Sequence, residues 1–296
     1  MVSLIVTSCG NSEKIAKAVA RKLKAKYSPL TISSFPDGDI YLKYNTDVKG
    51  KKVVIVQGFQ PGSDQSLYRI IFAAETAKDL GAKKVILAAP YLGFMRQDKR
   101  FNPGEAISSR IMAKHLNICL DKIITFDTHI HRYKSLKDIF TIAAKNLTTN
   151  DLIADHIKKK IKNAVIIGPD WESFQWAEHI ANKIGVESTV LEKTRHSSRK
   201  VSVKMIKPID LKNKNVVIVD DIISTGHTIA EAAKKARKMG ANSITAIGVH
   251  GLFVEDAISK LKKAGVTKVT TTNCIKHKTN KIDVAPLLAD ELRKEK

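Results

Sequence analysis

Along the chain, short runs in which nearly every residue is apolar alternate with longer amphipathic stretches. A short apolar run suits a strand buried on both faces, and its alternation with helical segments is the pattern of βαβ units on a parallel sheet. The strands predicted in this way are Leu4 to Thr7, Val53 to Gln57, Val85 to Ala89, Ile123 to Asp127, Val165 to Gly168, Glu187 to Glu192, Val216 to Asp220 and Ser243 to Val249. Gly10 and Asn11 read as a turn after the first strand, with Ser12 as the capping residue of a helix that begins near Glu13.

One pattern occurs twice. The run Val53 to Gln57, a loop, a helix ending at Gly81 and Ala82, the run Val85 to Ala89 and then Gly93 and Phe94 reappear as Val216 to Asp220, a loop, a helix ending at Gly240 and Ala241, the run Ile244 to Gly248 and then Leu252 and Phe253. This predicts a duplicated α/β domain. The copies differ where the repeated strand ends, in Gln57-Gly58 in the first half and in Asp220-Asp221 in the second. The boundary is expected near Asn146 to Asn150, ahead of a helix starting around Asp151. Toward the end, Ile282 to Leu292 carries an apolar stripe opened by Pro286, which reads as a short helix.

At 296 residues with 43% hydrophobic content, the chain can build one large or two ordinary cores. No apolar run approaches the roughly 18 residues of a membrane span, and Val2 to Val6 is too short for a signal-peptide core, so a cytoplasmic protein without a membrane partner is expected. Cys9, Cys119 and Cys274 lie far apart with no CxxC spacing, which suggests neither a disulfide framework nor a structural zinc site. The formal charge of +22 raises a polyanionic partner. The lysines, however, are scattered along amphipathic segments, and 6% aromatic residues leave few stacking platforms, so a solvated surface is expected and nucleic acid is not.

The segment Asp220 to Thr228 holds the strongest local chemistry, between a buried strand and a helix. At the carboxyl edge of a parallel sheet, backbone amides at a helix start form a nest for anions. Ser224, Thr225 and Thr228 add hydroxyl donors for a phosphate monoester, Gly226 permits close backbone approach, and Asp220 with Asp221 suits a vicinal diol such as ribose. The plain alternative is an acidic helix cap before an ordinary turn. No GxxxxGK[ST] sequence occurs, so a triphosphate would have to be held in another way. Arg96 and Gln97 follow the strand Val85 to Ala89, where a guanidinium can grip phosphate. His129 and Asp170 also follow predicted strands, which would let them converge above the same sheet edge.

Together these segments resemble the ribose-phosphate pyrophosphokinase (phosphoribosyl pyrophosphate synthetase) family, and the resemblance spans nearly the whole chain. Asp220 to Thr228 is similar to its ribose 5-phosphate loop, including His227 at a position that is often glycine. Phe35-Pro36-Asp37-Gly38-Asp39 is similar to its ATP-binding loop, with Asp39 where the family usually has glutamate, and Tyr91 to Asp98, which holds Arg96 and Gln97, to its second nucleotide segment. His129 and Asp170 match its metal positions, and Lys193-Thr194-Arg195 its catalytic loop.

The resemblance implies two duplicated type I phosphoribosyltransferase-like domains, each a mainly parallel sheet flanked by helices. Residues 1–147 would carry the ATP loops and 148–281 the ribose 5-phosphate loop and flap, with 282–296 packing back on the first domain. It implies catalytic roles for Lys193 and Arg195, the latter also binding ribose 5-phosphate, and ATP as substrate. It further implies magnesium with manganese as the alternative, and a homo-oligomer whose ATP loop is shared between subunits. Lys193 and Arg195, with Arg199 and Lys200, form a basic flap ahead of Val201 to Val203, whose plain reading is a solvated hairpin. Two rivals stay open: a phosphoribosyltransferase that consumes phosphoribosyl pyrophosphate, and a non-catalytic regulatory relative.

Overall fold

Valine and isoleucine dominate the strands, where a branched Cβ fits the pleated surface and both faces can be covered by helices. The computed structural model describes residues 3–195 and 201–295. The chain forms two units, one comprising Met1–Leu147, Cys274–Lys276 and Val284–Lys296, the other Thr148–Asn273 and His277–Asp283.

The first unit begins with β1 (Leu4–Thr7), α1 (Glu13–Leu23) and the two-residue β2 (Lys26–Tyr27). The strands β3 (Leu30–Ser34) and β4 (Ile40–Tyr44) then form a separate antiparallel hairpin. It continues with β5 (Lys52–Val56), α2 (Ser63–Asp79), β6 (Lys84–Ala89), α3 (Ser108–Cys119), β7 (Lys122–Phe126) and β8 (Ala143–Leu147). Its sheet runs β2-β1-β5-β6-β7-β8, parallel throughout. Helix α1 buries Ile15, Ala16, Val19, Ala20 and Leu23, the single apolar stripe that a helical period generates.

The second unit contains α4 (Asn150–Lys160), β9 (Ala164–Gly168), α5 (Phe174–Ile184), β10 (Glu187–Arg195), β11 (Val201–Met205), β12 (Asn215–Ile223), α6 (His227–Lys238), β13 (Ser243–Gly251), α7 (Ala257–Lys263), β14 (Lys268–Thr272) and β15 (Asn280–Ile282). The sheet order is β11-β10-β9-β12-β13-β14-β15, and β11 alone among these strands pairs antiparallel, against β10. Its core gathers Val165, Ile167, Val216, Ile218, Ile229, Ala233, Ile244 and Leu261. The last helix, α8 (Ala285–Arg293), returns to the first unit with Pro286 in its first turn and packs on α1.

The duplication extends to individual hydrogen bonds. Asp47 accepts from the Lys49 amide, and Asp210 from the Lys212 amide, each at 2.9 Å. Gly50 and Asn213 follow, both left-handed, and donate to the carbonyls of Gly81 and Gly240 respectively. The amides of Lys83 and Asn242 then donate to Lys51 and Lys214, both at 2.8 Å. Phe94 and Phe253, at matching places, have φ of 64° and 47°, which is uncommon for a bulky side chain. Strain repeated at corresponding positions shows that both copies require the same backbone course there.

Two expectations need correction. Ser12 does not cap α1 through its side chain; its Oγ accepts the Gly58 N–H at 2.9 Å, because the loop after β5 lies against the loop after β1. His129 and Asp170 do not stand on one sheet edge, since His129 follows β7 of the first sheet and Asp170 follows β9 of the second.

Candidate active site

In an open parallel sheet, ligands bind beyond the carboxyl ends of the strands where the strand order reverses direction. In the second unit that place lies between β9 and β12. Asp170 follows β9, and Asp220 and Asp221 lie near the carboxyl end of β12, so three carboxylates come to this edge. Asp170 is held as the cap of a short 3-10 helix: its carboxylate accepts the Ser173 N–H at 3.2 Å, and Ser173 Oγ donates back to its carbonyl at 2.7 Å. Gly168 permits this, because a Cβ there would meet Ser173 Oγ at 2.7 Å.

Asp220 accepts the amide of Asp221 at 3.0 Å, and Asp221 accepts the amide of Ile222 at 2.7 Å. Burial, then the charges of Asp221 and Asp170, push the Asp220 carboxyl well above the usual carboxylate range. Crowded carboxylates of this kind suit a hard divalent cation, whose charge relieves the repulsion. The donors present therefore fit magnesium.

Ser224 and Thr225 are half-buried, and Gly226 stands at the helix start with φ 72°. Only glycine adopts that conformation readily, and a Cβ would meet Leu261 at 3.2 Å. The first-turn amides of α6, from His227 and Thr228 onward, have no partner within a helix, which is the physical basis of anion binding there. His227 itself takes ordinary helical backbone and its Nε2 reaches Glu231 at 3.1 Å, so a bulky side chain at this position leaves the turn intact.

The corresponding edge of the first unit, between β1 and β5, is closed. The Asn11 side-chain amide donates to Gly58 O at 3.2 Å, Pro61 O at 3.0 Å and Ser66 Oγ at 3.0 Å, beside the Ser12 contact to Gly58. The loop that would cradle a phosphate thus has its own chain as ligand. The other candidates in this unit lie elsewhere. Phe35, Asp37, Gly38 and Asp39 form the tip of the β3–β4 hairpin, where the Gly38 amide donates to Phe35 O and the Phe35 amide to Asp39 O. Pro36 and Gly38 fit the second and fourth places of such a turn. Phe35 is 52% exposed and meets Tyr41 edge-on at 5.7 Å.

Arg96 is exposed beyond β6. The Gln97 carbonyl accepts from the amide and hydroxyl of Ser109, and its side-chain oxygen from Ser108 Oγ. After β7 the backbone turns at Asp127 with φ 35°, and Thr128 N–H donates to Asn146 at 3.1 Å. His129 Nδ1 and His131 Nε2 are 2.8 Å apart. Lys193 and Arg195 lie on β10 opposite Val203 and Val201, their side chains outside those described; Arg199 and Lys200 also lie outside the described residues.

The sequence places Asp98 at the end of the second nucleotide segment without a role of its own, and gives no role to Arg132. The Asp98 carboxylate is buried and accepts from Arg132 Nη1 at 3.0 and 3.2 Å. The signal in the sequence was an aspartate directly after Arg96-Gln97, but nothing there named its partner.

A family model for the N-terminal domain of ribose phosphate pyrophosphokinase matches residues 4–119, and one for the phosphoribosyl transferase domain matches 135–287. Fold and site thus define a protein of the phosphoribosyltransferase class of α/β folds, in two copies. The ribose-phosphate pyrophosphokinase of Methanothermobacter thermautotrophicus is 38% identical over 290 residues, covering 98% of this chain and all of that protein. That of Pyrococcus furiosus is 35% identical over 265 residues, 90% of this chain and 92% of the relative. The crystal structure of phosphoribosylpyrophosphate synthetase from Mycobacterium smegmatis superposes with a TM-score of 0.86 at 25% identity, covering 99% of this chain and 98% of the other. The chain belongs to the ribose-phosphate pyrophosphokinase family.

Proposed function

We propose that the chain transfers the β,γ-pyrophosphoryl group of ATP to the C1 hydroxyl of ribose 5-phosphate, giving phosphoribosyl pyrophosphate and AMP for nucleotide biosynthesis. The observation that carries this reading is the Asp220 to Thr228 segment, an acidic pair joined to a hydroxyl-lined helix start at the strand reversal of the second unit. Asp220 and Asp221 would accept the sugar hydroxyls, while Ser224, Thr225, Gly226, His227 and Thr228 would take the 5-phosphate.

ATP is assigned to the first unit, with Phe35 stacking on the base, Asp37, Gly38 and Asp39 at the hairpin tip, and Arg96 and Gln97 on the polyphosphate. The C1 oxygen bonds to the β-phosphorus as the bond from that phosphorus to the bridging oxygen of AMP breaks, and the hydroxyl proton leaves to solvent. Positioning and charge stabilisation dominate such a step. Lys193 and Arg195 are assigned to the charge that develops, and Arg195 to ribose 5-phosphate as well. His129 and Asp170 are each assigned to magnesium or, alternatively, manganese, which neutralises polyphosphate charge when bound.

The exposed hairpin tip and the exposed Tyr68, Phe72, Ile111 and Ile118 on α2 and α3 support a homo-oligomer. No helix among the described residues is long and apolar enough to cross a membrane. An enzyme drawing on ATP in this way is assigned to the cytoplasm. Incubation with ATP, magnesium and ribose 5-phosphate tests the reading: AMP and phosphoribosyl pyrophosphate should appear in equal amounts, and ADP as the nucleotide product would overturn it.

A further inference from the structure

We infer that Arg132 and Tyr133 are positioning residues that hold the Arg96-Gln97 nucleotide segment and the His129 loop in a fixed relation through Asp98. The inference rests on the assignment of ATP to Arg96 and Gln97 made above.

Three observations carry it. Asp98 directly follows Gln97, and its side chain is only 1% exposed. A buried carboxylate demands a partner, and the one it has comes from a different loop: Arg132 Nη1 reaches both of its oxygens, at 3.0 and 3.2 Å. Beside it, Tyr133 Oη donates to the Asp98 carbonyl at 3.1 Å and lies 2.9 Å from Ser109 Oγ, the hydroxyl that also holds the Gln97 carbonyl. The guanidinium of Arg132 further covers the exposed ring of Phe101 at 5.3 Å, beyond the same segment.

Two consecutive residues of the loop after β7 therefore grip Asp98 of the loop after β6, Arg132 by its carboxylate and Tyr133 by its carbonyl. His129 stands three places before Arg132 and Arg96 two places before Asp98, each on the free side of the grip. Without the ion pair, the loop that carries Arg96 would keep only the Tyr133 bond to the Asp98 carbonyl and the serine bonds to Gln97, and the guanidinium that meets the polyphosphate would lose its fixed place. The sugar-phosphate segment lies in the other unit and shares none of these bonds.

The test uses the full chain and the variants Arg132→Met, Arg132→Lys, Asp98→Asn and Tyr133→Phe. Titration calorimetry with ATP in magnesium buffer, without ribose 5-phosphate, is read beside the KM for each substrate. Partners that orient a binding group typically contribute about 10- to 100-fold. Arg132→Met and Asp98→Asn should weaken ATP by that factor in both measurements and move the KM for ribose 5-phosphate less than about threefold. Arg132→Lys should recover most of the loss, and Tyr133→Phe should fall between. A general loss of packing would shift both substrates together and lower the melting temperature of Arg132→Lys as much as that of Arg132→Met. Such a pattern, or ATP binding as tight as wild type in Arg132→Met and Asp98→Asn, overturns the inference. Should Arg132→Met not fold, Arg132→Lys and Tyr133→Phe decide by the same comparison. A wild type that binds ATP yet forms no AMP would overturn the proposed reaction, while the isotherms would still decide the role of Arg132.

Discussion

Gln57 and Asp220 occupy the same place in the two units, each directly after four buried aliphatic residues of the strand at the reversal of the sheet. In one unit the residue is a fully buried neutral amide whose Nε2 donates to Gly58 O at 3.0 Å. In the other it is a half-buried carboxylate beside two more. The first unit thus closed this edge, and the second kept it acidic.

Asp220→Asn should raise the KM for ribose 5-phosphate by about tenfold or more, the factor for weakening hydrogen bonds to a charged acceptor. The KM for ATP should change far less. Steady-state kinetics with each substrate varied in turn checks this, and equal changes would show that the carboxylate does not serve the sugar.

Gly226→Ala should cost about 1–3 kcal/mol of stability, because alanine at φ 72° is strained and its Cβ would meet Leu261 at 3.2 Å. Relief of that strain would turn the helix start and raise the KM for ribose 5-phosphate. Urea denaturation and kinetics measure the two effects on the same sample.

Lys193→Ala should lower kcat by about 10² to 10³ while both KM values stay within a few fold, as expected for a charge contact made mainly in the transition state. Arg195→Ala should show a similar loss in kcat together with a higher KM for ribose 5-phosphate. A kcat near wild type for Lys193→Ala would reduce the β10–β11 pair to an ordinary hairpin.

Helix α8 is tied to the first unit by Lys122, 3.2 Å from Glu291 and 2.9 Å from Glu295, and by Lys84, 2.7 Å from Glu295. Burial alone would raise the two carboxyls, but Lys122 with Lys294 at Glu291 and with Lys84 at Glu295 holds both below their ordinary 4.5. Burial would likewise lower Lys122, yet Glu295 and Glu291 hold it above its ordinary 10.5. The carboxylates therefore contribute stability that is full above pH 4.5 and lost as pH falls through their lowered values. The lysine contributes stability that is full below pH 10.5 and lost as pH rises through its raised value. Lys122→Met should destabilise the protein by about 2 kcal/mol near neutral pH, because each carboxylate loses one of its two cations and keeps only Lys294 or Lys84. Melting curves from pH 3 to 8 should show that difference shrinking below about 4.5.

All eight strand predictions fall on observed strands, since an apolar run buried on both faces leaves little ambiguity. Two of them overran by one residue: the ladders end at Val56 and Phe126, and Asp127 has already turned to φ 35°. The edge strands β2, β8 and β15, and β14 beside β15, escaped because segments such as Lys26–Tyr27 and Asn280–Ile282 are short and polar, and carry little periodic signal. The hairpin β3–β4 escaped for a different reason, as its half-buried and exposed residues alternate, the pattern of strands covered on one face rather than an unbroken apolar run. At the site, Asp220 to Thr228 was legible because its chemistry is contiguous. The pairing of Asp98 with Arg132 was not, because a buried ion pair between two loops leaves only two charged letters far apart in sequence.

The return of α8 to the first unit has a consequence for the order of events during synthesis. Leu288 and Leu292, which it buries there, are translated only after every strand of the second unit. At about 5–20 residues per second, the first unit would stand without them for roughly ten seconds or more. Throughout that interval Lys84 and Lys122 lack Glu291 and Glu295, and the face of α1 that receives α8 is open to water. The unit made first is thus the one finished last, and its nascent form is the stage at which a chaperone would have the most to hold.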